Sequence, residues 1–168
     1  TGDTGTMHLA AAVGTRTCAI FVGVGNPWET AAYAADHVAL ASRIACAPCQ
    51  LNLECGYPAC HEDFPPEFLG ELLARLLRGT PLDDLPSLAR ADVYRTRRGA
   101  DGLLDLEPLT RRAPAAHEML APVYRALFLE RFERVPASVD ALWRQAEARH
   151  GVAQRDWPRL LPDDLPTE

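Results

Sequence analysis

The chain has 168 residues, of which 48% are hydrophobic and 24% are charged, a composition that allows one domain core with an appendage and argues against a disordered or fibrous chain. All 17 basic residues are arginine, and 23 acidic residues bring the net charge to −6 without any basic stripe, so a nucleic-acid partner is not expected. The most apolar run, residues 18–25, is far too short for a membrane span of about 20 residues.

Apolar patterning in the first half of the chain predicts alternating helices and strands. The predicted elements are a helix over 4–13, a strand over 17–22, a strand over 37–41 and a helix over 66–78. The apolar run before Gly23 is typical of a strand that is buried on both faces, as in a parallel sheet. The six apolar residues of the last helix predict one core-facing side, and Gly79 is expected to end it. This order indicates one side of a doubly wound α/β sheet.

The pattern of predicted elements changes in the second half of the chain. Residues 80–92 resemble a connector, and residues 93–96 and 103–106 predict a hairpin. Two amphipathic helices are expected, one over 117–134 and one that starts with Ser138 as its cap. We therefore divide the chain into an α/β region (1–79), the connector (80–92), a hairpin with a helical extension (93–151) and a proline-rich acidic tail (152–168).

The motif with the clearest chemistry opens the chain as Gly2-Asp3-Thr4-Gly5-Thr6-Met7-His8. A helix that begins at Thr4 or Gly5 presents unpaired N–H groups and a partial positive charge, which favour an anion. Gly5 has no side chain to keep phosphates from the backbone, Asp3 can accept hydrogen bonds from hydroxyls, and His8 shares the face of Thr4. Taken alone, Asp3 could instead be a helix cap and His8 a structural histidine.

The opening motif, continued through Ala10–Ala12, Asn26-Pro27, Cys46-Ala47-Pro48-Cys49 and Cys60, resembles glycosyltransferase family 9, the ADP-heptose:lipopolysaccharide heptosyltransferases. The resemblance covers roughly the first 79 residues, and it departs from the family at Gly23-Val24-Gly25, where the loop geometry is in doubt. It implies the C-terminal part of a GT-B fold, a partial Rossmann-like domain in which Asp3, Thr4, Gly5 and His8 bind the donor.

The same resemblance implies what the intact protein does. We expect an inverting transfer of a heptose or related sugar from ADP-heptose or a similar nucleotide sugar. The acceptor would be a glycan or a lipid-linked lipopolysaccharide precursor. The expected location is the cytoplasm, with peripheral association at the inner membrane as a further possibility.

The chain opens inside this motif, without a methionine or a signal peptide, which we interpret as a fragment. The family's catalytic base and acceptor domain belong to an N-terminal half, and a basic residue for the diphosphate comes from earlier in the donor domain. We therefore expect the chain to be inactive by itself, with no catalytic residue of its own. Its unpaired sheet edge would favour self-association or pairing with a missing domain.

Four cysteines, Cys46, Cys49, Cys55 and Cys60, predict a metal knuckle in the loop over 46–60, since four thiolates suit tetrahedral zinc or iron. Cys18 lies apart, in a predicted strand. The intervals after Cys49 are shorter than those of paired knuckles, so reduced cysteines in a packed loop remain an equal alternative. The resemblance adds that related autotransporter heptosyltransferases hold iron on four cysteines, whereas ordinary members of the family have similar cysteines without an evident metal.

Two other classes of function remain open from the sequence. One is a free-standing four-cysteine metal-knuckle module that docks a partner through its helices, and the other is a structural remnant that binds nothing. Nucleotide binding separates the glycosyltransferase from both alternatives, and metal content separates those two from each other.

Overall fold

The computed structural model describes residues 1–49, 55–99, 102–110, 116–133, 138–151, 153 and 155–156. The chain divides into two units, residues 1–111 and 112–168. The first unit contains α1 (Gly5–Ala12), β1 (Cys18–Phe21), α2 (Pro27–Thr30), β2 (Val38–Ser42), a 3₁₀ helix (Ala59–Asp63), α3 (Pro66–Arg78), β3 (Ala91–Arg98) and β4 (Leu104–Pro108). The second contains α4 (Ala116–Phe128), a π-helical segment (Leu129–Glu133) and α5 (Val139–His150).

A four-stranded mixed sheet in the order β1-β2-β3-β4 organises the first unit. β1 and β2 run parallel, with Ile20 opposite Leu40. β3 runs antiparallel to both β2 and β4, so the hairpin predicted around residues 93–106 forms and is continuous with the strands of the N-terminal region. Gly2 adds a parallel bridge to Ile20 on the outer edge of β1.

Successive side chains of a strand point to opposite faces of a sheet, and helices pack on both faces of this one. On one face, Leu40 and Val93 belong to an apolar cluster with Leu72 of α3. On the other face, Ala39 and Tyr94 belong to a cluster with Met7 of α1. The arrangement is an α/β unit consistent with a partial Rossmann-like fold, as the sequence predicted in its coarser form.

α3 confirms the helix that the sequence predicted between Pro66 and Arg78. Gly79 ends it with φ of 66°, a left-handed conformation that glycine adopts without steric cost. The prediction that its whole leucine face is core was wrong at two positions. Leu73 is 47% exposed and Leu77 is 89% exposed, whereas Phe68 and Leu72 are buried.

Two short helices occupy segments that were predicted to be loops. α2 follows Asn26, and a single 3₁₀ turn over Ala59–Asp63 carries the last cysteine of the cysteine-rich loop. Each is too short to show a periodic apolar pattern, which is why residue spacing alone did not reveal it.

The second unit contains the two predicted helices. Ser138 caps α5 as expected, since its hydroxyl accepts a hydrogen bond from the N–H of Ala141 at 3.3 Å. The first predicted helix is α-helical only to Phe128 and then continues as the π-helical segment. Most of the predicted tail over 152–168 lies outside the described residues. None of the described helices has the length and apolar character that crossing a bilayer requires.

Candidate nucleotide-sugar site

Three consecutive parallel segments of the first unit end at the same edge of the sheet. The start of α1 follows the bridge at Gly2, the segment 22–30 follows β1, and the segment 43–49 follows β2. Hydrogen bonds tie these segments together. The hydroxyl of Thr30 donates to Oδ2 of Asp3 at 2.6 Å, and the N–H of Cys49 donates to the carbonyl of Gly23 at 2.7 Å. Ligands of open α/β sheets bind at this carboxyl edge.

The start of α1 is open at this edge. Thr4 occupies the cap position, but its side chain makes no capping hydrogen bond to a backbone N–H of the helix; its hydroxyl lies 2.7 Å from the hydroxyl of Thr6. The first turn of a helix has N–H groups without intrahelical acceptors, and the Thr4 side chain does not satisfy them here. Gly5 is exposed, and a Cβ built at this position would meet no atom within 4 Å. Backbone donors at Gly5 can therefore approach an anion closely.

The four predicted donor-site residues are brought together at this helix start. Asp3, Thr4 and Gly5 are consecutive and exposed, and His8 lies one turn further along with an exposed side chain. Asp3 precedes the cap position, and its carboxylate accepts from Thr30. The geometry suits an anion at the N–H groups and a hydroxyl-bearing group at the carboxylate. Their role in donor binding stays a prediction.

A residue that sequence reasoning missed is Thr30, at the end of α2. The local signals for α2 were present: Asn26 is a preferred cap residue, and Pro27 is favoured at the first helical position. Oδ1 of Asn26 accepts from the N–H of Trp28 at 3.1 Å, and its Nδ2 donates to Oε1 of Glu29 at 2.9 Å. α2 therefore presents Thr30 next to the start of α1.

Two arginine–aspartate ion pairs lie at the C-terminal end of β2. Nε of Arg90 is 2.9 Å from Oδ1 of Asp63, whose Oδ2 accepts from Ser42 at 2.5 Å. Nε of Arg43 is 3.4 Å from Oδ2 of Asp92. Both aspartate side chains are buried, so each requires its partner to compensate its charge. Arg43 and Arg90 are thus engaged in ion pairs within the protein.

The four loop cysteines differ in environment. Cys46 and Cys55 are exposed, Cys49 is half-buried and Cys60 is buried. Among the residues that the structure describes, no three His, Cys, Asp or Glu side chains are grouped so that they could hold a metal ion. Residues 50–54, between the second and third cysteines, lie outside that description. The described side chains therefore do not assemble the site that the spacing predicts.

Cys18 lies apart from the other cysteines, half-buried against the apolar cluster that includes Leu40 and Leu72. It lies in β1, where burial raises the pKa of its thiol to about 11, with the positive N-terminus opposing this shift. Burial thus makes Cys18 a weaker nucleophile than an exposed cysteine, because the thiolate is the reactive form.

The opposite edge of the sheet has different chemistry. Burial lowers the pKa of His37, an effect that Asp36 opposes and Arg16 reinforces. The N–H of Thr17 donates to Nδ1 of His37 at 3.1 Å, so the neutral ring carries its proton on Nε2. A cavity of about 240 Å³ lies nearby, and its lining combines the charged residues Arg16, Asp36 and Arg95 with apolar residues such as Val38 and Leu76. It adjoins the amino ends of β1 and β2, away from the predicted donor residues.

Residues 1–57 match the family model of glycosyltransferase family 9 (heptosyltransferase). The match covers 57 of the 168 residues, about a third of the chain, and includes all four predicted donor-site residues. No curated protein and no solved structure gave a match. The match supports the resemblance to this glycosyltransferase family over the segment that contains α1, β1, α2 and β2.

Proposed function

We propose that this chain supplies the donor-binding segment of a glycosyltransferase that transfers a sugar from ADP-heptose or a similar nucleotide sugar to a glycan or lipopolysaccharide acceptor. The observation that carries the proposal is the open start of α1, with Asp3 and Gly5 at the carboxyl edge of parallel strands, within the segment that matches family 9. We also propose that the segment binds the donor as part of the intact protein and that this protein acts in the cytoplasm.

The proposed division of labour follows from the chemistry of the residues. N–H groups at Thr4 and Gly5, together with the helix dipole, would bind the diphosphate. Asp3 would accept hydrogen bonds from sugar hydroxyls, because a carboxylate is an unfavourable neighbour for phosphate. His8 would donate to a phosphate or a donor hydroxyl. Inversion also needs a general base for the acceptor hydroxyl, and we assign that role to no residue of this chain.

Replacing Asp3 by Ala tests the proposal. We expect the variant of the intact protein to transfer sugar about five- to 150-fold more slowly, because a missing sugar hydrogen bond costs about 1–3 kcal/mol. Steady-state transfer from ADP-heptose measures it, with Asp83→Ala as the control, since Asp83 is exposed beyond α3. Turnover of Asp3→Ala at the wild-type rate would remove Asp3 from the donor site.

A structural zinc or iron ion on Cys46, Cys49, Cys55 and Cys60 stays a prediction of the sequence. Metal binding and loop folding are coupled, so the ion would have to gather side chains that the structure does not group. Elemental analysis of protein purified without a metal-affinity tag should find about one ion per chain. Cys49→Ser should abolish binding, whereas the control Cys18→Ser should leave it unchanged. A well-folded protein without metal would decide for reduced cysteines in a packed loop.

A further inference from the structure

We infer that Thr30 is a positioning residue for Asp3 and that α2 forms the sugar side of the donor site. The inference rests on the proposed function and deepens it, because it names a residue that selects the sugar rather than the nucleotide. Asp3 and Thr30 are 27 residues apart in the sequence, and their contact links the start of α1 to the end of α2.

The hydroxyl of Thr30 has a single proton and two acceptors within reach. Oδ2 of Asp3 lies at 2.6 Å, and the carbonyl oxygen of Asn26 lies at 3.1 Å. A hydrogen bond to an ionised carboxylate is shorter and stronger than one to a neutral carbonyl, so the proton goes to Asp3. This bond fixes the rotation of the carboxylate, and Oδ1 of Asp3 remains to accept from a hydroxyl of the ligand.

Thr30 can hold Asp3 in place because α2 is itself anchored. Pro27 is buried, and the Asn26 side chain caps the turn. Trp28 packs edge-on against Tyr94 of β3, with ring centroids 5.7 Å apart and an interplanar angle of 76°. Tyr94 is 2% exposed, so this contact joins α2 to the core of the sheet. A site is most precise when the residues that orient it are locked by packing in this way.

The chemistry predicts which part of the ligand depends on Thr30 for its binding. The diphosphate would meet the N–H groups of α1, which Thr30 does not touch. A sugar hydroxyl would meet Asp3, whose orientation depends on Thr30. Loss of the Thr30 hydroxyl should therefore weaken binding of the nucleotide sugar and leave binding of the free nucleoside diphosphate unchanged.

The experiment compares dissociation constants of ADP-heptose and ADP for the wild-type protein, Thr30→Val and Thr30→Ser. Valine keeps the branched shape without the hydroxyl, and serine keeps the hydroxyl. We expect Thr30→Val to bind ADP-heptose on the order of tenfold more weakly and ADP as the wild type does. Thr30→Ser should bind both as the wild type does. Thr30→Ala serves as a second variant without the hydroxyl if the valine variant does not fold.

A double-mutant cycle separates positioning from other effects. In an Asp3→Ala background, Thr30→Val should have no additional effect on ADP-heptose binding. An additional loss there would overturn the inference, because Thr30 would then act independently of Asp3. Wild-type ADP-heptose affinity in Thr30→Val would also overturn it, leaving Thr30 as a tether of the loop and the proposed function intact. A wild-type protein that binds neither compound would overturn the proposed function, and this inference with it.

Discussion

Leu72→Ala should reduce the free energy of unfolding by about 2–5 kcal/mol, the usual range for a buried leucine whose removal leaves a cavity. Leu72 is fully buried, in the apolar cluster that α3 forms with Leu40 and Val93 on one face of the sheet. Neighbours on a sheet and a helix can collapse only partly into the space of an isobutyl group, so the cavity persists. Urea unfolding, followed by circular dichroism, measures the change.

Leu77→Ala is the matched control, because Leu77 lies in the same helix but is 89% exposed. Its removal should change stability by no more than about 0.5 kcal/mol. Equal losses for the two variants would show that the outer side of α3 is covered by something in solution. Loss at Leu72 alone would show that α3 packs through one narrow side, as the structure has it.

The pair also illustrates what the sequence could predict about α3. Its bounds followed from local signals: proline at its start, glycine at its end and apolar residues at helical spacing between them. Which leucines face the sheet did not follow, because two adjacent leucines lie 100° apart around a helix and only one can point at the sheet. Leu72 and Leu73 are such a pair, one buried and the other half exposed.

The pairing of strands that lie far apart in the sequence was the second feature that residue patterns could not predict. The sequence predicted that residues 93–96 form a hairpin with residues 103–106, but not that β3 also pairs with β2. The paired residues of β2 and β3 are 49 (Ser42 and Ala91) to 57 (Val38 and Arg95) positions apart in the chain. Thr96 shows the consequence: it is buried, donates to the carbonyl of Ala34 at 2.6 Å and accepts from the N–H of His37 at 2.9 Å. Nothing in the local sequence around Thr96 indicates these contacts.

One part of the candidate site was predictable from the sequence, and another part was not. The helix start at Thr4 and Gly5 was predictable, because its determinants are consecutive residues. The contact between Asp3 and Thr30 was not, because it depends on how α1 and α2 follow neighbouring parallel segments. A motif thus identifies the residues at the start of α1, whereas the fold supplies the residue that orients one of them.

Gly5→Ala should separate ligand binding from folding at this helix start. The Cβ of a helical residue tilts toward the N-terminus, so an added methyl group would occupy the space in which a diphosphate approaches the N–H groups. Weakening charge-assisted hydrogen bonds costs about 1.5–3 kcal/mol, or ten- to a hundredfold in affinity. We therefore expect ADP to bind Gly5→Ala that much more weakly, as measured by titration calorimetry on the intact protein.

The fold should tolerate the same change. Apart from Gly5, its chain neighbours and the adjoining helix backbone, no atom lies within 4 Å of the Cβ position at Gly5, and alanine favours the helix over glycine by up to about 1 kcal/mol. The matched control is Gly70→Ala in α3, because Gly70 is also exposed in a helix and has no atom within 4 Å of its Cβ position. Both variants should be as stable as the wild type or more stable, and only Gly5→Ala should lose ADP affinity. Unchanged affinity in Gly5→Ala would show that the diphosphate does not bind at the start of α1, whereas a parallel loss in Gly70→Ala would show that the affinity reports on the fold as a whole.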